Sequence, residues 1–400
     1  MHLRRFLALL ACAGALSTGC SPTARDDGAD AVMRVVADVM ATSHLRAAIV
    51  RVTRDGRDVV TRAVGESMTG VPATTDMHFR NGAVAISYVS TLLLRLVDEG
   101  RVALDDRLST WLPEVPHADQ VTLGQLATMT SGYVDYVIGN TAMNDALYAN
   151  PFRQWTTSEL LAFAVDRPLQ YPPGTNWNYA HTNYVLLGLA LERATGEPMS
   201  KMLSEMVLRP LGLSHTVNSD TAEIPSPVLH AFTSERRAAL RIPTGVPFYE
   251  ESTYWNPSWT ITHGAIETST VYDLEATAVG IGSGRLLSRD SYAKLVSTDL
   301  RGRTHAQPGC ATCAPMTDGY TYGMGLVISG GWLLQNPMFA GSAAVEAYLP
   351  SRRIAIAVVV TYSPEAFDAR GDYPNAAETL FRRIGAELAP DHAPPVPPGG

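Results

Sequence analysis

The sequence predicts an α/β (α+β) protein in which one sheet is assembled from both ends of the chain. Helices flank that sheet, and a helical subdomain is inserted beside it. Three observations lead there. Ala47–Val64 (AAIVRVTRDGRDVVTRAV) reads as two alternating strands around Asp55-Gly56, a strong hairpin signal. From Ala142 to about Gly212 the pattern is helical, with segments such as Ser158–Val165 and Tyr184–Ala194 broken by Pro172-Pro173-Gly174 and Gly196-Glu197-Pro198. Ile354–Thr361 (IAIAVVVT) is an apolar, β-branched run suited to a central strand, and Asn375–Ala386 follows it as a closing helix.

Taken in order, the chain opens on a targeting segment. Arg4-Arg5 forms a basic start, and Phe6–Leu16 is an apolar run too short to span a bilayer. It ends Leu16-Ser17-Thr18-Gly19-Cys20, similar to a bacterial lipobox, with Ser17 where Leu is usual. Residues 1–20 are therefore expected to be a lipoprotein-type signal, with Cys20 lipidated and residues 21–30 a polar tether. A plain secretory signal is the alternative. Ala31–Met40 reads as an amphipathic helix, and the folded domain is expected over 31–388, with the helical insertion at about 105–215.

Leu92, Leu93, Leu94, Leu96 and Val97 give the next helix a broad buried face, and Gly100 marks its stop. Val121–Ser131 is read as a helix ending at the Thr130-Ser131-Gly132 turn. Residues 223 to 259 are rich in proline and read as loop, Val271–Val279 and Asp290–Ser297 as helices. Tyr322–Ile328 and Val345–Leu349 are read as strands. The Pro-rich tail, 389–400, is expected to be disordered.

Composition bounds the function. With 46% hydrophobic and 18% charged residues, 400 residues are enough for a full core. A net charge of -8 argues against nucleic acid, whose phosphates call for basic patches. No apolar run of about 18 residues lies in the mature region, so no spanning helix is expected there. Once Cys12 leaves with the signal and Cys20 is acylated, Cys310 and Cys313 remain. Zinc would need two further ligands, and a local disulfide pinning a surface loop is the expectation. No metal or cofactor is expected.

The stretch Phe79–Leu112 (FRNGAVAISYVSTLLLRLVDEGRVALDDRLSTWL) carries a resemblance. Phe79, Arg80, Gly82, Leu94, Val97, Glu99, Gly100, Leu104, Asp105 and Asp106 keep the frame F-R-x-G-S-x-x-K…L-x-x-E-G-K-L-x-L-D-D. That frame resembles the nucleophile helix of the serine β-lactamase and DD-peptidase superfamily. Asn176–Gly196, Arg209–His215 (RPLGLSH), Asn256–Trp259 (NPSW), Gly264–Leu274 and Gly284–Ser288 (GRLLS) resemble further stretches of D-alanyl-D-alanine carboxypeptidase homologues, in the same order. Tyr322–Leu326 and Gly331-Trp332 introduce the third motif. The resemblance extends from about Ala47 to Phe381. It implies a β-lactamase-like antiparallel sheet flanked by helices, and descent from serine hydrolases that act on amide, ester or β-lactam carbonyls.

The residues that do the chemistry in active relatives are replaced. By position, Ala83 stands for the nucleophilic Ser and Ile86 for the Lys. Tyr179 matches the Tyr of Y-x-N while His181 replaces its Asn, and Gln335-Asn336-Pro337 replaces H-x-G. In another serine hydrolase, losing the nucleophile alone costs about a million-fold in turnover. Ser87 and Ser90 lack a Lys or His placed to activate them and are expected to bond back to i−4 carbonyls. Ser291-Tyr292-Ala293-Lys294 matches S-x-x-K by chance.

What the chain offers instead is Tyr179 with His181, and His263, expected to face the old pocket together with Tyr133, Trp259, Gln335 and Asn336. The leading expectation is an exported, lipid-anchored, penicillin-binding-protein-like pseudoenzyme of the cell envelope. It would bind a small molecule, a peptidoglycan-type peptide or a partner without hydrolysis. The alternatives are an enzyme using Tyr179 and His181 as acid and base, and a residual serine-type esterase or carboxypeptidase.

Overall fold

The computed structural model describes residues 27–396. The signal segment, Cys20 and residues 21–26 of the expected tether lie outside the described residues. The helix read over Ala31–Met40 begins earlier: α1 spans Asp27–Thr42, so the last tether residues belong to it.

β1 (Leu45–Arg54) and β2 (Arg57–Met68) form the expected hairpin. Asp55 and Gly56 have φ of 54° and 73°, the pair of left-handed residues that a two-residue turn between right-twisted strands requires. Short strands β3 (Val71–Pro72) and β4 (Phe79–Arg80) follow, and β4 feeds α2 (Val84–Asp98). Leu92, Leu93, Leu94 and Leu96 of α2 are completely buried, worth roughly 1.5–3 kcal/mol each relative to exposure. Gly100 closes the helix at φ 68°.

The helical insertion comprises α3 (Leu123–Ala127), α4 (Thr141–Ala149), α5 (Thr157–Ala162), α6 (His181–Thr195), α7 (Met199–Leu203) and, after one π turn, α8 (Arg209–Leu211). α3 is shorter than Val121–Ser131 suggests. Thr122 and Gln125 form a capping box that fixes its start, and Met129 at φ 56° leaves the helical region. The proline-rich stretch after β5 (Val217–Asn218) is not all loop, because β6 (Phe232–Thr233) pairs with β7 (Glu250–Glu251). β8 (Glu267–Ser269) lies between β4 and β5 in a small sheet, and α9 (Val271–Gly282) and α10 (Arg289–Leu295) follow.

The late strands are β9 (Thr321–Tyr322), β10 (Val327–Ser329), β11 (Trp332–Gln335), β12 (Met338–Phe339), β13 (Ser342–Leu349) and β14 (Ile354–Tyr362). Tyr322–Ile328, expected as one strand, is a hairpin. Gly325 at φ 74° reverses the chain, and a Cβ there would lie 2.3 Å from Ser90 Oγ. The strand β11 carried no separate signal.

The main sheet is nine-stranded, in the order β3-β2-β1-β14-β13-β11-β10-β9, with β12 also on β13 and every pairing antiparallel. β1 and β14 are neighbours, with Val50 opposite Val358, so the two chain ends meet in the middle of the sheet. All nine residues of β14 are buried, as expected of a strand covered on both faces. α1 and α11 (Ala376–Leu388) pack together against one face, while Arg51 and Thr53 of β1 reach Glu275 of α9 on the other.

The tail departs from expectation up to residue 396. Trp332 Nε1 donates to His392 O at 2.8 Å, and the Arg382 guanidinium donates to Pro395 O. Arg382 also pairs with Glu378 and Ser329, and Trp332 packs on Phe381, so the tail carbonyls add to side chains already fixed and hold this stretch against the sheet.

Candidate active site

A cleft of about 500 Å³ opens where the N-terminus of α2, the end of β11 and the start of α6 converge. Ala83 and Ile86 form part of its floor. Ala83 stands at the α2 N-cap without a side-chain cap, and Ile86, 4% exposed, follows one turn later. The first amides of α2 are taken by preceding carbonyls, Val84 N by Asn81 O at 3.1 Å and Ala85 N by Gly82 O at 3.1 Å.

The wall opposite is built on a buried carboxylate. Asp135 accepts from the backbone N–H of Val137 (3.2 Å), Ile138 (2.9 Å) and His181 (3.0 Å). It also faces His181 Nδ1 at 3.0 and 3.1 Å. The Asp135 side chain is 2% exposed and that of His181 15%. Since His181 is the first residue of α6, the carboxylate also sits at the positive end of that helix. The contact assigns the Nδ1 proton to His181 in its neutral form, which leaves Nε2 as the acceptor on the cleft side.

Tyr179 packs edge-on against His181, rings 5.4 Å apart at 89°. Burial first, and then the Asp135 charge, pushes its phenol well above the ordinary range, so it stays protonated. Trp259 lies 6.0 Å from the His181 ring and stacks on Phe339. Tyr136 donates its hydroxyl to Trp259 O at 2.7 Å and fixes that wall.

The third wall is the β11–β12 connection. Gln335 donates Nε2 to Gly325 O at 2.6 Å, and Asn336 donates Nδ2 to Glu378 at 2.9 Å. Asn375, the cap of α11, donates to Asn336 O at 3.0 Å. Pro337 presses against Gly82, where a Cβ would come within 2.7 Å of the Pro337 Cβ.

The structure thus brings Ala83, Ile86, Tyr179, His181, Trp259, Gln335 and Asn336 to one cleft. Two expected residues point elsewhere. Tyr133 is buried with its hydroxyl on Pro116 O, because Gly132 at φ 87° and the Ser131 side chain turn it away from the cleft. His263 bonds to Ser258 O at 3.2 Å and does not line the cleft. Gly264 after it, anchored by Asp220, sets that direction.

Sequence reasoning missed Asp135, Glu378, Asn375 and two phenols that line the cleft, the partly buried Tyr320 and the buried Tyr322. Asp135 had one available signal, a carboxylate three residues past the Thr130-Ser131-Gly132 turn.

The other serines are occupied. Ser87 bonds to Val84 O, the i−3 rather than the i−4 carbonyl, and Ser90 bonds to the Tyr184 hydroxyl at 2.7 Å. Ser291 donates to Asp98 at 2.6 Å. Cys310 and Cys313 are bonded to each other, though buried against Tyr171 rather than at the surface. Among the described residues no group of three or more His, Cys, Asp and Glu is placed to hold a metal.

Comparison with known proteins agrees with this architecture. The Beta-lactamase family model matches residues 32–381. "Penicillin-binding protein 4" of Amycolatopsis lactamdurans is 33% identical over 155 residues, 37% of this chain and 38% of its own. "Esterase EstB" of Burkholderia gladioli is 34% identical over 182 residues, 42% of this chain and 46% of its own. The chain thus spans less than half the length of these curated relatives. Among solved structures, D-amino acid amidase from Ochrobactrum anthropi SV3 superposes with a TM-score of 0.73 at 20% identity, covering 90% of this chain and 98% of that one. At that identity it bears on the fold alone. The matched model and the shared architecture together place this chain in the Beta-lactamase family.

Proposed function

We propose that the chain is a non-hydrolytic member of its family that holds a ligand noncovalently in the cleft. The observation that carries this is the cleft floor, a methyl group at Ala83 and an apolar side chain at Ile86, under an open space of about 500 Å³. An acyl-enzyme needs a nucleophile and a group to take its proton. Ala83 supplies neither, Tyr179 is held protonated, and Ser87 and Ser90 are buried and bonded elsewhere. Candidate ligands are a small molecule or a peptidoglycan-type peptide, by analogy with penicillin-binding and carboxypeptidase relatives. The Leu16–Cys20 pattern supports export and a lipid anchor facing outside the cell membrane.

The test incubates the full chain with a fluorescent penicillin and with p-nitrophenyl acetate, following turnover and intact mass together. No adduct and no turnover are expected. A stable adduct, or turnover abolished by a substitution in the cleft, would overturn the reading.

A second reading is favoured by one observation, the Asp135–His181 pair. A carboxylate that orients an imidazole, with Nε2 on the cleft side, suits proton transfer without a covalent intermediate, as in an elimination or isomerisation. Once a substrate is found, an unchanged rate in His181→Ala would exclude it.

A further inference from the structure

We propose that the cleft selects a hydrophobic amine and discriminates against carboxylate-terminated ligands. The proposal rests on the noncovalent binding reading above and names the class of ligand.

The ion pair beside the cleft is oriented, with the Glu378 carboxylate among the lining residues and its Arg382 partner behind it. Among the described residues no Lys or Arg lines the cleft. The Arg382 guanidinium, one turn along α11 from Glu378, is already committed. It meets Glu378 at 2.6 Å, Ser329 Oγ at 3.2 Å and the tail carbonyl of Pro395, with its side chain 14% exposed. The docked tail thereby draws the cation behind the wall. What faces the cleft is the Glu378 carboxylate, whose second oxygen takes a neutral donor, Asn336 Nδ2 at 2.9 Å. Asp135 adds a second negative charge behind His181.

The side-chain amides repeat the pattern. Gln335, Asn336 and Asn375 each spend one of their two N–H groups on an internal acceptor, so the strand wall offers a carboxylate neutral amide donors and no cation. An incoming carboxylate would shed water without gaining a charged partner, a desolvation left uncompensated. An ammonium meets the reverse situation. Glu378 presents the negative end of its pair with Arg382, and Trp259, Phe339 and Tyr179 offer the aromatic faces that attract cations. Ile86, Val137 and Ile261 provide the apolar surface for the rest of the ligand.

The experiment titrates the full chain by calorimetry with three probes of one shape, 4-phenylbutylamine, 4-phenylbutanol and 4-phenylbutyrate. The amine is expected to bind at least about tenfold more tightly than the alcohol, and the carboxylate more weakly than either. Glu378→Gln, checked for folding by circular dichroism, should bring the amine to the level of the alcohol. It should also improve the carboxylate, because Arg382 then loses its partner. Trp259→Ala should weaken all three and so locate the binding in the cleft. A carboxylate that binds wild type as tightly as the amine, or an amine preference unchanged in Glu378→Gln, would overturn the proposal alone. If none of the three binds, the reading of the cleft as a small-molecule site fails and takes the proposal with it.

Discussion

His181 Nδ1 lies 3.0 Å from Asp135 Oδ2, and the backbone N–H of the same histidine reaches Oδ1 of the same carboxylate at 3.0 Å. One buried carboxylate thus holds both the side chain and the backbone of the first residue of α6. With Val137 and Ile138 it ties the loop after α3 to the start of that helix.

Asp135→Ala is expected to leave three backbone N–H groups without their acceptor and to cost about 3 kcal/mol, since each unsatisfied buried donor costs about 1–3 kcal/mol and relaxation recovers part. Asp135→Asn keeps the shape and should cost less. Urea unfolding of the two variants checks the order.

Glu267 should make stability fall as pH rises. It is 2% exposed, neither carboxyl oxygen has a hydrogen-bond partner, and burial raises it well above the ordinary carboxyl value. A raised folded value means the native state favours the protonated form. Its effect is absent below the unfolded value of about 4.3 and grows as destabilisation as pH rises from there through the folded value, about 1.4 kcal/mol per unit of difference. Glu267→Gln should flatten that part of the profile and be more stable than wild type at pH 8, measured by denaturant unfolding across pH.

Gly82→Ala should destabilise by about 1–3 kcal/mol. Its φ of 51° disfavours a side chain, and the added Cβ meets Pro337. Combining it with Pro337→Gly should recover the contact part and leave the backbone part. A double-mutant cycle of thermal melts separates the two.

Removing residues 390–400 should uncover Trp332 and free Arg382. A red shift of tryptophan emission and a loss of about 1–2 kcal/mol are expected, the size of one or two lost hydrogen bonds with some apolar exposure. An unchanged spectrum would show that the tail does not cover the sheet edge in solution.

Much of this fold was legible because local signals and burial agree. The turn residues Asp55-Gly56, the leucines of α2 and the uninterrupted apolar run of β14 each admit one reading, and the structure follows them. The elements misread were those decided by distant partners. Tyr322–Ile328 folds back because Ser90 approaches Gly325, and the proline tail is held because Trp332 and Arg382 have bonds to make. The same holds at the site. Tyr179, His181 and Trp259 could be placed from motif order, but Asp135 is some forty-six positions from His181, and no local pattern announces their pairing. Tyr133 and His263 were misplaced because backbone turns at Gly132 and Gly264 set their direction.

Thr312 lies inside the small ring closed by Cys310 and Cys313. Its hydroxyl reaches the Asn178 carboxamide and, at 3.3 Å, the carbonyl of Tyr179. The thiol–disulfide balance of the surroundings therefore bears on the shape of a site that no cysteine lines. Under oxidising conditions the aromatic wall beside His181 is braced from behind, and under reducing ones that brace is slack.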